Sequence, residues 1–383
     1  MSQIDNRSTS EADRPHPSAI QVALLLGFIG FVAFGGPAAH VALMRRELVE
    51  RRRWVEPERF SRMFAACNLI PGPSSTELAM FIGYRLAGWQ GLFAAGAFFI
   101  APAMVIMLGL AWAYTDYAST GWVQALLYGV RPVVVGIIAW AALDLGRKML
   151  QPRVLILVSG FSLGLFLIGL NPLLVLALMA LVAIAITQVR RGAGAAAAAV
   201  AADLLGPHPE RLIALFLTFL KLGAVSFGSG YVLFAFLHSD FVDGLHWLKP
   251  GQLIDAVAIG QVTPGPVFTT ATFLGYLFAG VPGALLATLA IFLPGLVLVP
   301  FLDRLVALVE THPLVRNGLT SVNAAVIGLI VGVGLQLAHA SIDNWLTVAV
   351  AILAFLVVLW KPLAAPIAVL GGAAAGLATL AVH

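Results

Sequence analysis

Charged residues are scarce in this sequence. Only 10% of its 383 residues are charged, whereas 60% are hydrophobic, and the mean hydropathy is +0.97. A soluble domain carries roughly a quarter of its residues as charges, so this composition excludes an ordinary soluble core. Apolar runs of about 20 residues can cross the hydrocarbon layer as helices and are too long for the strands of a barrel. The sequence therefore predicts an all-α integral membrane protein.

Cysteine is nearly absent as well. The single cysteine, Cys67, excludes a disulfide framework and a multi-cysteine metal site. No cofactor motif and no recognised Ser/His/Asp catalytic set is present, so we expect no cofactor and no enzyme activity. The sequence pI of about 9.5 comes from basic residues at the ends of apolar runs. Membrane topology explains such residues better than nucleic-acid binding does, and we expect no nucleic-acid partner.

Two halves of the chain resemble each other. Three pairs of motifs share one spacing of 193 residues: Phe34-Gly35-Gly36 and Phe227-Gly228-Ser229, Trp54 and Trp247, and Pro71-Gly72-Pro73 and Pro264-Gly265-Pro266. Farther along, the spacing becomes 192, as in Gly83 and Gly275. We predict two repeats, at 19–191 and 211–383, joined by an Ala/Gly-rich linker at 192–210. Residues 1–18 lack the pattern of a signal peptide and are interpreted as a polar tail.

Equivalent loops of the two repeats differ in charge. The first-repeat loop contains seven arginines, which are Arg45, Arg46, Arg51, Arg52, Arg53, Arg59 and Arg62. The corresponding second-repeat loop contains Asp240, Asp243 and Lys249. Because basic loops stay in the cytoplasm, the two loops should face opposite sides of the membrane. The sequence thus predicts a polytopic helical bundle of two inverted-topology repeats.

The apolar runs also predict a topology. We expect about ten full spans and two non-crossing hairpins, with both termini outside. The hairpins are predicted near 63–86 and 251–278, and the first span of the second repeat near 212–236.

A Pro-Gly-Pro motif interrupts an apolar segment in each repeat. Proline and glycine end a helix there, and hydroxyl residues follow: Ser74, Ser75 and Thr76 in the first repeat, and Thr269 and Thr270 in the second. A helix that begins at such a break directs free N–H groups at it, which suits an oxyanion. Paired broken helices near the bilayer midplane are typical of transporters. The alternative is a pair of proline kinks whose hydroxyls bond back to their own helices.

Other polar residues near the breaks are candidates for binding substrate. Those outside the Pro-Gly-Pro runs and their hydroxyls are His40, Asn68, Glu77, Arg131, Lys221 and Gln261. Arg131 and Lys221 could neutralise a dianion, since charges within spans are costly, and Glu77 could carry a proton. An upstream pair of helix breaks is predicted at Gly35 and Gly36 and at Gly228 and Gly230, chiefly for close packing.

Three segments resemble the signatures of the two-domain chromate ion transporter family: Phe34-Gly35-Gly36-Pro37-Ala38-Ala39-His40, Leu69-Ile70-Pro71-Gly72-Pro73-Ser74-Ser75-Thr76-Glu77-Leu78 and Gln261-Val262-Thr263-Pro264-Gly265-Pro266. The resemblance implies efflux of chromate across the bacterial inner (plasma) membrane, giving chromate resistance. The membrane potential, proton coupling or both would drive this transport. The residues themselves indicate only an oxyanion.

The expected partners are the lipid bilayer and chromate, with sulfate as an alternative substrate and a homodimer left open. Two other functions stay open at this point. One is a carrier of sulfate or another oxyanion, including an importer. The other is a membrane-embedded enzyme such as a reductase or protease, which the lack of a cofactor or catalytic motif disfavours. A sensor or scaffold is disfavoured by the lack of a sizeable soluble domain.

Overall fold

A computed structural model describes residues 17–34, 37–151, 153–189, 211–227, 230–361 and 364–380. Regular structure within these ranges is helical throughout. The predicted linker at 192–210, most of the predicted tail and the candidate breaks Gly35, Gly36 and Gly228 lie outside the described residues. The all-α prediction is confirmed.

The two repeats contain the same series of helices. In the first repeat they are α1 (Ala19–Val32), α2 (Pro37–Arg45), α3 (Pro57–Cys67), α4 (Ser74–Tyr117), α5 (Gly121–Met149), α6 (Val154–Leu167) and α7 (Pro172–Val189), with a π-helical turn at Arg46–Arg51. In the second they are α8 (Arg211–Val225), α9 (Val232–Leu237), α10 (Pro250–Val262), α11 (Thr270–Leu298), α12 (Leu302–Thr311), α13 (Pro313–His339), α14 (Trp345–Trp360) and α15 (Ala365–Leu380), with a π-helical turn at His238–Gly244 and 3-10 turns at Val267–Thr269 and Val299–Phe301. Together, α11 and α12 correspond to α4.

The longest helices reverse direction at equivalent glycines. Gly88 interrupts α4 with φ 61° and ψ −150°, and Gly280 interrupts α11 with φ 60° and ψ −150°. The segments before and after each reversal pack closely against each other. Gly83 lies so near the Gly91 carbonyl that a Cβ on Gly83 would collide with it, and the same holds for Gly275 and Gly283. Each helix therefore has a short arm and a long arm, at 74–86 and 89–117 in α4 and at 270–278 and 281–298 in α11.

The predicted hairpins are present. Arg59 near the start of α3 and Arg85 near the end of the short arm of α4 line one cavity, so the two helices are antiparallel. In the second repeat, Trp247 before α10 and Phe278 at the end of the short arm of α11 have ring centroids 5.2 Å apart. Each hairpin returns to the side from which it enters, with its Pro-Gly-Pro loop at the tip.

The predicted span at 212–236 is wrong. Helix α8 ends at Val225, and the guanidinium of Arg211 at its start lies 5.2 Å from the ring centroid of Trp247. The chain thus turns back between the end of α8 and the start of α9. Helix α8 is one arm of another hairpin, and α9 with the following π-helical turn is the other arm. The predicted count of about ten full spans is too high for the same reason.

Helix α1 of the first repeat is also one arm of a hairpin, like α8 of the second. Helix α1 runs parallel to the long arm of α4, because Gly27 packs on Phe98 and Gly30 on Phe99. The long arm begins just after Arg85, so α1 begins on the side of the arginine-rich loop. By the positive-inside rule this side is cytoplasmic. The start of α1 therefore lies on the side opposite to the one predicted.

Four helical stretches among the described residues are long and apolar enough to cross a membrane: Ser74–Tyr117, Gly121–Met149, Val267–Thr311 and Pro313–His339. The shorter helices α6 and α7 of the first repeat pack on α13 of the second. Likewise, α14 and α15 of the second repeat pack on α5 of the first. In α5 and α13, Gly146 faces Ile327 and Ile138 faces Gly334. These equivalent helices are antiparallel, which confirms the inverted repeat.

The position of α1 predicts the labelling of Ser18. In a Cys67→Ala background, Ser18→Cys is expected to react with a membrane-impermeant maleimide in inside-out vesicles and to be protected in intact cells. The matched control is Ser119→Cys, another exposed serine, which follows α4 on the opposite side and should react in intact cells. Labelling of both cysteines from the same side would refute the hairpin formed by α1 and α2.

Candidate functional site

The two Pro-Gly-Pro loops meet between the repeats. The N–H of Gly72 donates to the carbonyl of Ser226 at 2.8 Å, and the N–H of Gly265 donates to the carbonyl of Ala33 at 3.2 Å. Ala33 and Ser226 follow α1 and α8 at equivalent positions, 193 residues apart. Each break is thus bonded to the end of a helix in the other repeat. This reciprocal contact brings four helix tips together, including Pro71 to Pro73 and Pro264 to Pro266.

Glycine is required at the centre of each loop. Gly72 has φ +126° and Gly265 has φ +100°, conformations that other residues rarely adopt. A Cβ on Gly72 would collide with the Glu77 carboxylate, and one on Gly265 would lie 2.5 Å from the Ala103 Cβ. The loops are therefore fixed by both dihedral angle and packing.

The first-repeat break holds buried polar atoms without partners. Helix α4 begins at Ser74, and the Thr76 N–H donates to the Pro73 carbonyl at 2.7 Å. The N–H groups of Ser74 and Ser75 have no acceptor within the helix. Among the described residues, Thr76 Oγ1 and both carboxylate oxygens of Glu77 are buried without a hydrogen-bond partner. Buried polar groups are normally bonded, so this cluster is a candidate ligand site.

His40 lies against the same cluster. Its Nδ1 is 3.2 Å from the hydroxyl oxygen of Ser75, and its ring packs edge-on to Phe99 with centroids 5.1 Å apart. The side chain is fully buried. The structure thus brings His40 together with Ser75, although they are 35 residues apart in sequence.

The second-repeat hydroxyls bond back to their own backbone. Thr269 Oγ1 donates to the Pro266 carbonyl at 2.7 Å, and Thr270 Oγ1 donates to the Val267 carbonyl at 2.8 Å. These two threonines follow the alternative of a proline kink whose hydroxyl groups bond to their own helix. Their hydroxyl protons are therefore not available to a ligand. The two breaks are therefore not equivalent in the donors that they offer.

The paired amides also differ. Asn68 Nδ2 donates to the Phe64 carbonyl at 3.0 Å, within its own helix. Gln261 Nε2 is buried and has no partner among the described residues. Gln261 thus keeps both amide N–H donors for a ligand, whereas one of the two on Asn68 is already used.

Both intramembrane cations are paired with carboxylates of the second repeat. Arg131 Nε and Nη2 donate to Asp255 Oδ1 and Oδ2 at 2.7 and 3.0 Å, and the Tyr114 hydroxyl donates to Oδ2 at 2.8 Å. Lys221 Nζ donates to Asp240 Oδ1 at 2.8 Å. Their charges are thus balanced in this conformation. Neither pairing was predicted: Asp240 was interpreted only as a loop charge, and Asp255 is the one acidic residue of the largely apolar helix α10.

Lys221→Ala is expected to abolish oxyanion transport while the protein still reaches the membrane, because it removes a cation near the end of α8, five residues before Ser226, whose carbonyl accepts from Gly72. Uptake of the labelled oxyanion by membrane vesicles and membrane abundance would be measured together. The variant also leaves the buried Asp240 carboxylate unpaired, so the control is the double variant Lys221→Ala/Asp240→Asn. If the double variant regains transport, Lys221 is only a structural partner of Asp240.

The chain is similar to known proteins over nearly its whole length. The sequence model of the chromate transporter family matches residues 20–185 and again 213–377. A chromate transport protein of Cupriavidus metallidurans is 33% identical over 365 residues, which cover 91% of this chain and 90% of that protein. A probable chromate transport protein of Synechococcus elongatus is 33% identical, with coverages of 87% and 88%.

A chromate transport protein of Pseudomonas aeruginosa is 31% identical over 359 residues, covering 88% of this chain and 85% of that protein. No solved structure matches the chain. The two matches to the family model and the identity shared with these relatives show that the chain belongs to the chromate transporter family.

Proposed function

We propose that this protein exports chromate from the bacterial cytoplasm across the plasma membrane and thereby gives chromate resistance. The observation that carries the proposal is the reciprocal bonding of the two Pro-Gly-Pro loops, Gly72 to Ser226 and Gly265 to Ala33. Broken helices that meet in an inverted repeat are the usual place for a transported ion. The family and the names of the relatives support chromate as that ion.

The first-repeat break offers the groups that a tetrahedral dianion needs. The N–H groups of Ser74 and Ser75, which have no acceptor within the helix, lie at the positive end of the short arm of α4. The Thr76 hydroxyl adds a side-chain donor at this break, and the Gln261 amide of α10 supplies another from the second repeat. We propose that these four residues bind the oxyanion, and that the His40 ring beside Ser75 shapes one side of the site. The second-repeat threonines contribute packing.

Glu77 couples the site to protons in this proposal. Its carboxylate is fully buried, packs against Gly72 and Gly295, and has no partner among the described residues. An ionised Glu77 would repel a dianion bound beside it, because charges interact strongly away from water. A proton on Glu77 is therefore expected to accompany the anion. Glu77→Gln, which keeps the shape and removes the charge, should transport without responding to pH.

The membrane potential favours export. With the cytoplasm negative, moving a dianion outward gains about 4.6 kcal/mol per 100 mV, from about 2.3 kcal/mol for each charge. A proton travelling with chromate on Glu77 would halve this gain. The two driving forces can therefore be separated by experiment.

Transport into inside-out vesicles tests the function and its driving force. Labelled chromate is supplied outside, and the potential and the pH gradient are imposed one at a time. Chromate should accumulate when the vesicle interior is positive, and the pH gradient should change the rate in the wild type but not in Glu77→Gln. Absence of accumulation under either gradient would refute export.

Excess sulfate in the same assay distinguishes the alternative substrate. Chromate and sulfate are both tetrahedral dianions, so the donors at the break suit either. We expect sulfate to compete weakly, since the relatives are described by chromate transport. Strong competition, with labelled sulfate transported faster than chromate, would favour a sulfate carrier. A homodimer stays a prediction, which light scattering of the purified protein can test.

A further inference from the structure

A basic cavity opens on the cytoplasmic side between the two repeats. It has a volume of about 240 Å³, and its wall includes Arg59, Arg62, Arg85 and Asp303. Arg59 and Arg62 are on α3, Arg85 is on the short arm of α4, and Asp303 is on α12. One water molecule needs about 10–15 Å³ of such space, so the cavity leaves room for a partly hydrated oxyanion. We call this space the arginine cavity.

We propose that the arginine cavity is the entry site for the transported oxyanion, which displaces Asp303 from Arg85 when it binds. The inference rests on the proposed function for the identity of the anion and its direction. Three guanidinium groups and one carboxylate line the cavity, which leaves an excess of two positive charges. That excess matches a tetrahedral dianion, and guanidinium groups bind oxyanions through paired hydrogen bonds.

The ion pair between Arg85 and Asp303 is weak enough for an anion to replace the Asp303 carboxylate. Arg85 Nη2 donates to Asp303 Oδ1 and Oδ2 at 2.6 and 2.5 Å, which links the first repeat to the second. The side chains are 36% and 66% exposed, so water and salt weaken the pair. Arg85 also lies over the Phe81 ring, with its guanidinium carbon 5.1 Å from the centroid. This contact keeps the guanidinium in place when the carboxylate leaves.

The cavity and the candidate binding site lie at opposite ends of one hairpin. The hairpin of α3 and the short arm of α4 has Arg59 and Arg85 at its open end and Pro71 to Pro73 at its tip. From Ser74 to Arg85 the helix rises about 17 Å. An anion held by Arg85 is thus one arm length of the hairpin from the N–H groups of Ser74 and Ser75 at the break. Release of Asp303 would also remove a contact between the repeats.

The inverted repeat supplies an internal comparison. In the second repeat, the positions equivalent to Arg59 and Arg62 are Gln252 and Asp255, 193 residues later. The position equivalent to Arg85 is Leu277, 192 residues later. Two of these arginines are thus replaced by uncharged residues and one by an acid. The acid, Asp255, is held by Arg131 and Tyr114, as described above.

The cytoplasmic and the opposite face of the protein therefore differ in charge at equivalent positions of the two repeats. The cytoplasmic face attracts anions, and the opposite face has a carboxylate at the corresponding place. This asymmetry fits capture on one side and release on the other.

The test combines anion binding with transport kinetics. Binding of labelled chromate and labelled sulfate to purified protein in detergent, and chromate uptake by inside-out vesicles, are compared for Arg85→Gln, Asp303→Asn and the control Arg316→Gln. Arg316 is an exposed arginine near the start of α13 on the same face, so it controls for the overall surface charge. Asp303→Asn removes the competing carboxylate without removing an arginine, and it tests the proposal even if Arg85→Gln fails to fold.

We expect Asp303→Asn to lower the half-saturating chromate concentration about two- to fivefold, the range of an exposed ion pair. Arg85→Gln should raise it about tenfold or more with a smaller effect on the maximal rate, because charged hydrogen bonds are lost at entry. Equal behaviour of Arg85→Gln and Arg316→Gln, or a higher half-saturating concentration in Asp303→Asn, would overturn the entry site.

Failure of the proposed function would look different. If the wild type transports no chromate but binds either oxyanion, and Arg85→Gln loses that binding, the arginine cavity is supported and export of chromate is overturned. If the wild type transports chromate and the Asp303→Asn and Arg85→Gln proteins match it, only the entry site is overturned.

Discussion

Gly72→Ala is expected to reduce chromate transport by about tenfold or more while the protein still inserts into the membrane. At φ +126° an alanine is strained by about 1–3 kcal/mol, and its Cβ would collide with the Glu77 carboxylate. Relief of the collision must move either the loop or Glu77, and both belong to the candidate binding site. The initial rate of chromate uptake by inside-out vesicles, normalised to membrane abundance, measures the effect.

Two other glycines make this experiment specific. Gly109→Ala lies in the long arm of α4, where an added Cβ has nothing within 4 Å, and it should leave transport unchanged. Gly265→Ala, at the equivalent loop, should impair transport as Gly72→Ala does. If Gly72→Ala transports at the wild-type rate, the Pro-Gly-Pro loop is not part of the transport site.

Asp255→Ala is expected to destabilise the protein by about 3 kcal/mol. Removing one partner of a buried ion pair leaves the other charge uncompensated, which costs about 3–5 kcal/mol. Asp255 is 2% exposed but Arg131 is 33% exposed, so we expect the lower end of this range. The Tyr114 hydroxyl loses its acceptor at the same time. Thermal unfolding of the purified protein in detergent, with and without the substitution, measures the change.

A double variant separates the charge from the packing. In Arg131→Met/Asp255→Leu neither charge remains, so most of the stability should return. Loss of stability in the double variant equal to that in Asp255→Ala would mean that the ion pair is not its cause. Wild-type stability of Asp255→Ala would contradict the buried pair itself.

The repeat and the central loops could be read from the sequence. Two Pro-Gly-Pro motifs at a spacing of 193 residues define equivalent breaks, because few other sequences end a helix in an apolar segment. The charge difference between the loops before α3 and α10 gives the inversion through the positive-inside rule. The hairpins follow from the breaks, since each arm is too short to span the membrane.

The sequence could not predict whether α1 and α8 are parts of full spans or arms of hairpins. The 14 apolar residues Ala19–Val32 are compatible with part of a kinked span or with one arm of a hairpin. Hydropathy is the same in both cases. Only contacts decide between them, such as Arg211 over Trp247 and Gly30 against Phe99.

The ion pairs were beyond sequence reasoning for a similar reason. Arg131 and Asp255 are 124 residues apart, and Arg85 and Asp303 are 218 residues apart. No spacing rule connects residues on different repeats. The sequence marked Arg131 and Lys221 as costly charges, and the structure adds that carboxylates already balance them. The same holds for Thr269 and Thr270, whose hydroxyl groups could be assigned only from the geometry of the 3-10 turn.

Counterflow in liposomes tests transport of chromate most directly. Purified protein is reconstituted in vesicles loaded with unlabelled chromate and diluted into a trace of labelled chromate, so no potential or pH gradient is needed. Labelled chromate should enter and transiently exceed its external concentration in wild-type vesicles, and Gly72→Ala vesicles should show little of this overshoot. Labelled chromate that enters no faster than into protein-free liposomes, with protein verified as folded, would contradict chromate transport by this chain.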